Sequence, residues 1–145
     1  MQSLQSAAED LRTILDHGLA HVGDTDRPVL HGGWSRKQIL GHLIDSAANN
    51  HHRFVRGQFE PGFAMPSYKQ SEWVATNGYQ DRAWKELVEL WSVYNRHLLF
   101  LMERVPKDRL ANVCKIGDDD PVTLEFLMVD YVRHLKHHVD QILAG

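Results

Sequence analysis

The stretch Leu124-Glu125-Phe126-Leu127-Met128-Val129-Asp130-Tyr131-Val132-Arg133-His134-Leu135-Lys136-His137-His138-Val139-Asp140-Gln141-Ile142-Leu143 decides the fold. Its apolar residues Leu124, Leu127, Met128, Tyr131, Leu135, Val139 and Ile142 recur at the i, i+3, i+4 spacing of a helix with one buried face. A helix from about Thr123 to the end of the chain follows, and the same period recurs upstream. Leu4, Ala7, Ala8, Leu11, Ile14, Leu15 and Leu19 form a first amphipathic helix that runs to about Gly23-Asp24, before Pro28. Ser35-Arg36-Lys37-Gln38 matches the S/T-x-x-E/Q capping box and opens a second helix. That helix carries Ile39, Leu40, Leu43, Ile44, Ala47, Phe54 and Val55, and it ends near Gly57. A third, Asp81 to Arg104, carries Trp84, Leu87, Val88, Trp91, Tyr94, Leu98 and Leu101 and is closed by Pro106.

Between the second and third helices, Gln58 to Gly78 reads as a long loop punctuated by Pro61, Gly62 and Pro66. It holds Phe59, Phe63, Met65, Tyr68 and Trp73, too many apolar residues for a solvated linker, so it is expected to fold over the body of the protein. Asp108 to Pro121 is expected to be irregular. Val113 to Ile116 is too short to count as a strand, and Gly117-Asp118-Asp119-Asp120 marks a turn. Four long helices without a strong strand signal predict an all-α fold, an antiparallel four-helix bundle. At 145 residues the chain is sized for a single domain, 1–145.

Composition narrows the function classes. Sixteen Lys and Arg against nineteen Asp and Glu leave a formal charge of −3, with no basic surplus to neutralise a phosphate backbone, so no nucleic-acid partner is expected. One cysteine, Cys114, excludes an intramolecular disulfide and a zinc site built from several thiolates. With no obvious base near it, Cys114 is not expected to be a nucleophile. No apolar run approaches a membrane span, and Met1 to Gln5 does not begin a secretory signal, so a cytoplasmic protein is expected.

Ten histidines stand out in a chain of this length. His134 and His138 are four apart, within about 40° of each other around the helix axis, so their imidazoles stack one turn apart and can grip one metal ion. Asp130 lies one turn earlier and Gln141 about one turn later on the same stripe. His42 sits in the middle of the second helix amid apolar residues, where it needs a partner, which a metal or a core hydrogen bond would supply. Asp45, Asn49 and His52 follow it along one side, as a row behind or beside a site or as a solvated face. His17, His21, His31, His51 and His97 are read as surface or interface residues.

The combination of Trp34-Ser35-Arg36-Lys37-Gln38-Ile39-Leu40-Gly41-His42-Leu43-Ile44-Asp45 with the later His134-Leu135-Lys136-His137-His138-Val139-Asp140-Gln141 resembles the DinB-like superfamily of damage-inducible and YfiT-type proteins, across essentially the whole chain. That resemblance implies a four-helix bundle, commonly a homodimer. It implies a divalent metal held by one histidine of the second helix and two of the fourth, here His42, His134 and His138. It also implies an activity of the thiol S-transferase or metal-dependent hydrolase type, acting on a small-molecule thiol or electrophile. Zinc, nickel, iron and manganese all suit imidazole ligands, and three such ligands leave positions open, as in catalytic sites. Asp45 and Asp130 are candidates for supporting the ligands or moving protons. Asn49, Tyr68 and Trp73 are candidates for lining a substrate pocket. The competing readings are a metal-binding or stress-response protein without turnover, which would have no pocket beside the metal, and a plain bundle whose histidines are hydrogen-bonded in the core. A dimer interface could use the first helix and the Trp84–Trp91 side of the third.

Overall fold

The computed structural model describes residues 2–28 and 33–144. Four long helices carry the structure: α1 (Leu4–His17), α2 (Arg36–Phe59), α4 (Trp84–Arg104) and α5 (Leu124–Ala144), with a short α3 (Gln70–Asn77) between the second and third of them. The capping box at α2 is formed. Ser35 Oγ accepts the Gln38 N–H at 3.2 Å, and Gln38 Oε1 accepts the Ser35 N–H at 2.9 Å. α1 stops earlier than its apolar pattern suggests, because Gly18 takes φ +70° and turns the chain out of the helix; Leu19 is nevertheless buried. His31 falls outside the described residues.

The helices do not pack in sequence order. α1 packs on α4 and α5, and α2 packs on the same two helices, so α1 and α2 occupy opposite corners of the bundle. Ion pairs Arg12–Glu103 and Arg96–Asp16 show α1 and α4 running antiparallel. Arg36 Nε donating to the Ile142 carbonyl at 2.8 Å, and Phe54 edge-on to Tyr131, show α2 and α5 antiparallel as well. α2 and α4 run the same way: Ser35 bonds Gln80 just before α4 begins, while His51, further along α2, bonds Tyr94. The core between them is filled by Leu11, Leu40, Leu43, Phe54, Leu87, Trp91, Leu98, Leu124, Met128 and Leu135, each essentially without solvent exposure. Trp91 is therefore core rather than interface; Trp84 is half-buried, and its Nε1–H donates to the Leu19 carbonyl at 2.8 Å.

The stretch read as a long loop is ordered structure. α2 continues to Phe59; then β1 (Ala64–Met65) and α3 follow. The segment expected to be irregular contains β2 (Val113–Ile116) and β3 (Val122–Thr123). β2 is the middle strand, parallel to β1 and antiparallel to β3, with Ala64 opposite Lys115 and Cys114 opposite Val122. These strands are too short for a period-2 pattern to show in the sequence, and their pairing is tertiary. The turn at Gly117 is where predicted, with φ +56°. The small sheet and α3 lie against α2, burying Phe63 and Val74 as the excess of apolar residues foretold, while Phe59 stays exposed. Among the described residues no helix is long and apolar enough to cross a membrane.

Candidate metal centre

Because α2 and α5 are antiparallel neighbours, His42 in the second turn of α2 meets the second half of α5. His42 Nε2 lies 3.3 Å from His134 Nε2, and His138 Nε2 lies 3.1 Å from His134 Nε2. The three rings stand edge to face, with centroids 4.6–5.1 Å apart. His42 is buried, whereas His134 and His138 are half-buried and reach toward solvent. Trp34 tilts over the His42 ring at 5.2 Å.

Proton counting shows that hydrogen bonds alone do not satisfy this trio. His138 Nδ1 is 2.8 Å from Gln141 Oε1, an acceptor, so His138 carries its proton on Nδ1 and presents a lone pair at Nε2. If His42 donates from Nε2 to His134, then His134 Nε2 is an acceptor and faces His138 lone pair to lone pair. If His134 instead donates to His138, His42 holds its proton on Nδ1, a buried atom without a hydrogen-bond partner among the described residues. A cation among the three nitrogens removes the lone-pair opposition, with His42 then carrying its proton on Nδ1. Three imidazole nitrogens each about 2.0–2.1 Å from one ion are about 3.0 Å apart on an octahedral face and about 3.4 Å apart in a tetrahedron. Two of the three separations, 3.1 and 3.3 Å, fall between those limits, and all three nitrogens lie within 4.8 Å of one another.

The electrostatics agree with a neutral, ligand-ready set. Burial, reinforced by the other two imidazoles, lowers His42 to about 3. Burial and the adjacent His138 lower His134 to about 4, against an opposing pull from Asp130. Burial also lowers His138, partly offset by its bond to Gln141.

A cavity of about 240 Å³ opens beside His134. Ser46, Asn50 and Arg53 line it from α2, Asp130 and Tyr131 from α5, and Tyr68 from the chain between β1 and α3. Tyr68 is thus at the cavity wall, its phenol pushed up by burial. Asp130 lines it too, ion-paired with Arg133 at 2.7 Å. Asn49 and Trp73 are not among the lining residues. Asn49 turns back to donate to the Asp45 carbonyl at 2.9 Å, and Trp73 packs edge-on to Tyr68 at 5.6 Å. Asp45 is buried near His42, but its Oδ1 accepts from the Tyr79 hydroxyl at 2.6 Å and from Asn77 Nδ2 at 2.9 Å. It tethers the segment after α3 to α2, and burial raises its pKa. Sequence reasoning missed Ser46, Asn50 and Arg53. Their i, i+4, i+7 spacing on α2 was the available signal. Of the remaining histidines, His17, His21, His52, His97 and His137 are exposed, while His51 is half-buried, its Nδ1 3.0 Å from the Tyr94 hydroxyl. Cys114 is buried and its thiol pKa raised, consistent with an inert side chain.

A helical bundle with three convergent histidines beside a cavity defines the class, and comparison with known proteins defines the family. Residues 22–142 match the DinB superfamily, and the chain belongs to it. A protein of Geobacillus thermodenitrificans (strain NG80-2) bearing the name "putative metal-dependent hydrolase" is 27% identical over 142 residues, covering 96% of this chain and 80% of the relative. A Bacillus mycoides (strain KBAB4) protein of the same description is 27% identical over 121 residues, covering 82% of this chain and 68% of its own. Among solved structures, YfiT from Bacillus subtilis, described as having an unusual four-helix bundle topology, superimposes with a TM-score of 0.78. The two are 22% identical, and the match covers 97% of this chain and 80% of YfiT. The mycothiol-dependent maleylpyruvate isomerase superimposes with a TM-score of 0.77 at 15% identity, over 97% of this chain but 61% of the isomerase. These likenesses establish the fold.

Proposed function

We propose that this protein is a metal-dependent enzyme of the hydrolase or thiol S-transferase type, with a divalent transition metal held by His42, His134 and His138. The observation that carries this reading is the convergence of three neutral imidazole nitrogens beside a substrate-sized cavity. The names of the sequence relatives and the thiol dependence of the isomerase with the same fold support it. A bound divalent ion supplies Lewis-acid activation of a water or thiol nucleophile.

The chain's own residues do the rest. Gln141 fixes the His138 tautomer through Nδ1–H, so that Nε2 is free to act as a donor atom. Trp34 limits the freedom of the His42 ring. Asp130, one helical turn from His134 and at the cavity wall, would accept a proton from a nucleophile, with Arg133 orienting its carboxylate. Tyr68 presents its hydroxyl, a neutral donor at ordinary pH, to a substrate in the cavity. A binding protein without turnover has no use for this cavity, which favours the enzymatic reading.

The test is to strip the protein with chelator, reload it separately with zinc, nickel, manganese or ferrous iron, and assay ester hydrolysis and thiol addition to an electrophile. Metal-dependent turnover in wild type, reduced by about a hundredfold or more in His134→Ala, is expected. Turnover indifferent to chelation, or equal in the variant, would overturn it.

A further inference from the structure

The cavity beside His134 contains one permanent cation, Arg53, and the histidine reading gives it no role. Arg53 sits on α2 seven residues beyond Ser46, roughly 10 Å along the helix axis, so the cavity runs from the histidine end to a guanidinium end. Arg53 is half-buried, and its Nε lacks any hydrogen-bond partner among the described residues. Its one acceptor contact is a long one, Nη1 to Asn50 Oδ1 at 3.4 Å. No carboxylate of the described residues forms an ion pair with it, although two line the same cavity. Asp130 is engaged by Arg133, and Asp119 is exposed. Lys115 Nζ lies against the Asp119 backbone, adding positive charge on that side. A partly desolvated guanidinium with unused donors is costly unless a ligand completes it, and its planar fork matches a carboxylate.

We propose that the substrate is a small organic carboxylate, its carboxylate held by Arg53 with Asn50 while its reactive centre lies at the histidine end. This rests on the catalytic reading above and names the substrate class for that site. Specificity then resides in the guanidinium, which rewards an anion about a small metabolite's length from the reacting atoms. A neutral amide of the same shape offers a single carbonyl acceptor and no charge, so it leaves the guanidinium fork half-paired.

The experiment is a titration of metal-free, ¹⁵N-labelled protein with succinate, followed on the Arg53 Nε–H resonance in wild type and on the backbone amides of Asn50 and Tyr68 in every protein, with neutral succinamide and inorganic phosphate as controls. Working without metal keeps this test separate from the metal assignment, which chelation and the histidine variants decide. Succinate is expected to shift the Arg53 resonance saturably. Its affinity should be at least about tenfold above that of succinamide, and Arg53→Gln should lose it by a similar factor with the remaining spectrum unchanged. Arg53→Lys should retain part of it. Equal binding of succinate and succinamide, undiminished binding in Arg53→Gln, absence of binding in wild type, or a preference for phosphate would each overturn the carboxylate assignment.

Discussion

The ring of Tyr79 lies directly against the backbone of Gly41: a β-carbon on Gly41 would stand 2.1 Å from Tyr79 Cδ2. Tyr79 cannot retreat, because it is buried and its hydroxyl is bonded to Asp45 Oδ1 at 2.6 Å. The glycine next to His42 is therefore a packing requirement that links the segment after α3 to the metal-site helix.

Replacing Gly41 by alanine is expected to destabilise the protein even though alanine is the better helix former by about 1 kcal/mol. The overlap with an immovable ring costs about 1–3 kcal/mol beyond that gain. Urea denaturation of Gly41→Ala against wild type measures it. Unchanged or higher stability would show that the ring moves freely.

Asp45 acts through its hydrogen bonds. Asp45→Ala leaves the buried Tyr79 hydroxyl and Asn77 amide without their acceptor and is expected to lose about 1–3 kcal/mol. Asp45→Asn keeps an acceptor oxygen and sheds a buried charge whose pKa is already raised, so it should lose clearly less. Chemical denaturation of both variants decides the ranking.

Gln141 touches the metal centre only through His138 Nδ1, at 2.8 Å. Gln141→Ala is expected to weaken metal affinity by about 10–100-fold while leaving the fold intact. A competition titration with a chromogenic chelator reads the affinity, and circular dichroism reads the fold.

The metal-free protein should lose stability as the solution is acidified. His42 and His134 have folded pKa values of about 3 and about 4, below the ordinary imidazole value. The unfolded chain therefore binds protons first. Their contribution is complete above about pH 6.5 and falls progressively as pH drops toward the folded values, by on the order of 2 kcal/mol from His42 alone at pH 5. Urea midpoints of the metal-free protein between pH 7 and pH 5 test this, and His42→Leu should show a shallower decline.

The bundle was legible because its signals are local. The 3.6-residue period of Leu124 to Ile142 and the Ser35–Gln38 capping box need no tertiary information. His134 and His138 follow from one helix, and their partnership with His42 was readable only from burial on α2 together with family resemblance. The packing order of the helices was not legible, since nothing in α1 or α2 states that they take opposite corners. Strands such as Val113–Ile116 owe their existence to pairing with Ala64–Met65, which no short window encodes. Tyr68 and Trp73, read together as pocket candidates, pack edge-on to each other, and Tyr68 is the one that lines the cavity beside His134, because hydrophobicity does not say which of two neighbouring aromatics faces inward.

The central claim, that His42, His134 and His138 together hold one metal ion, is most directly tested by plasma mass spectrometry. The measurement would use tag-free protein purified without chelator, with wild type beside His42→Ala and His134→Ala. About one equivalent of a divalent transition metal in wild type, lost in both variants, is the expected result. Absence of metal from wild type, or its retention in both variants, would contradict the account.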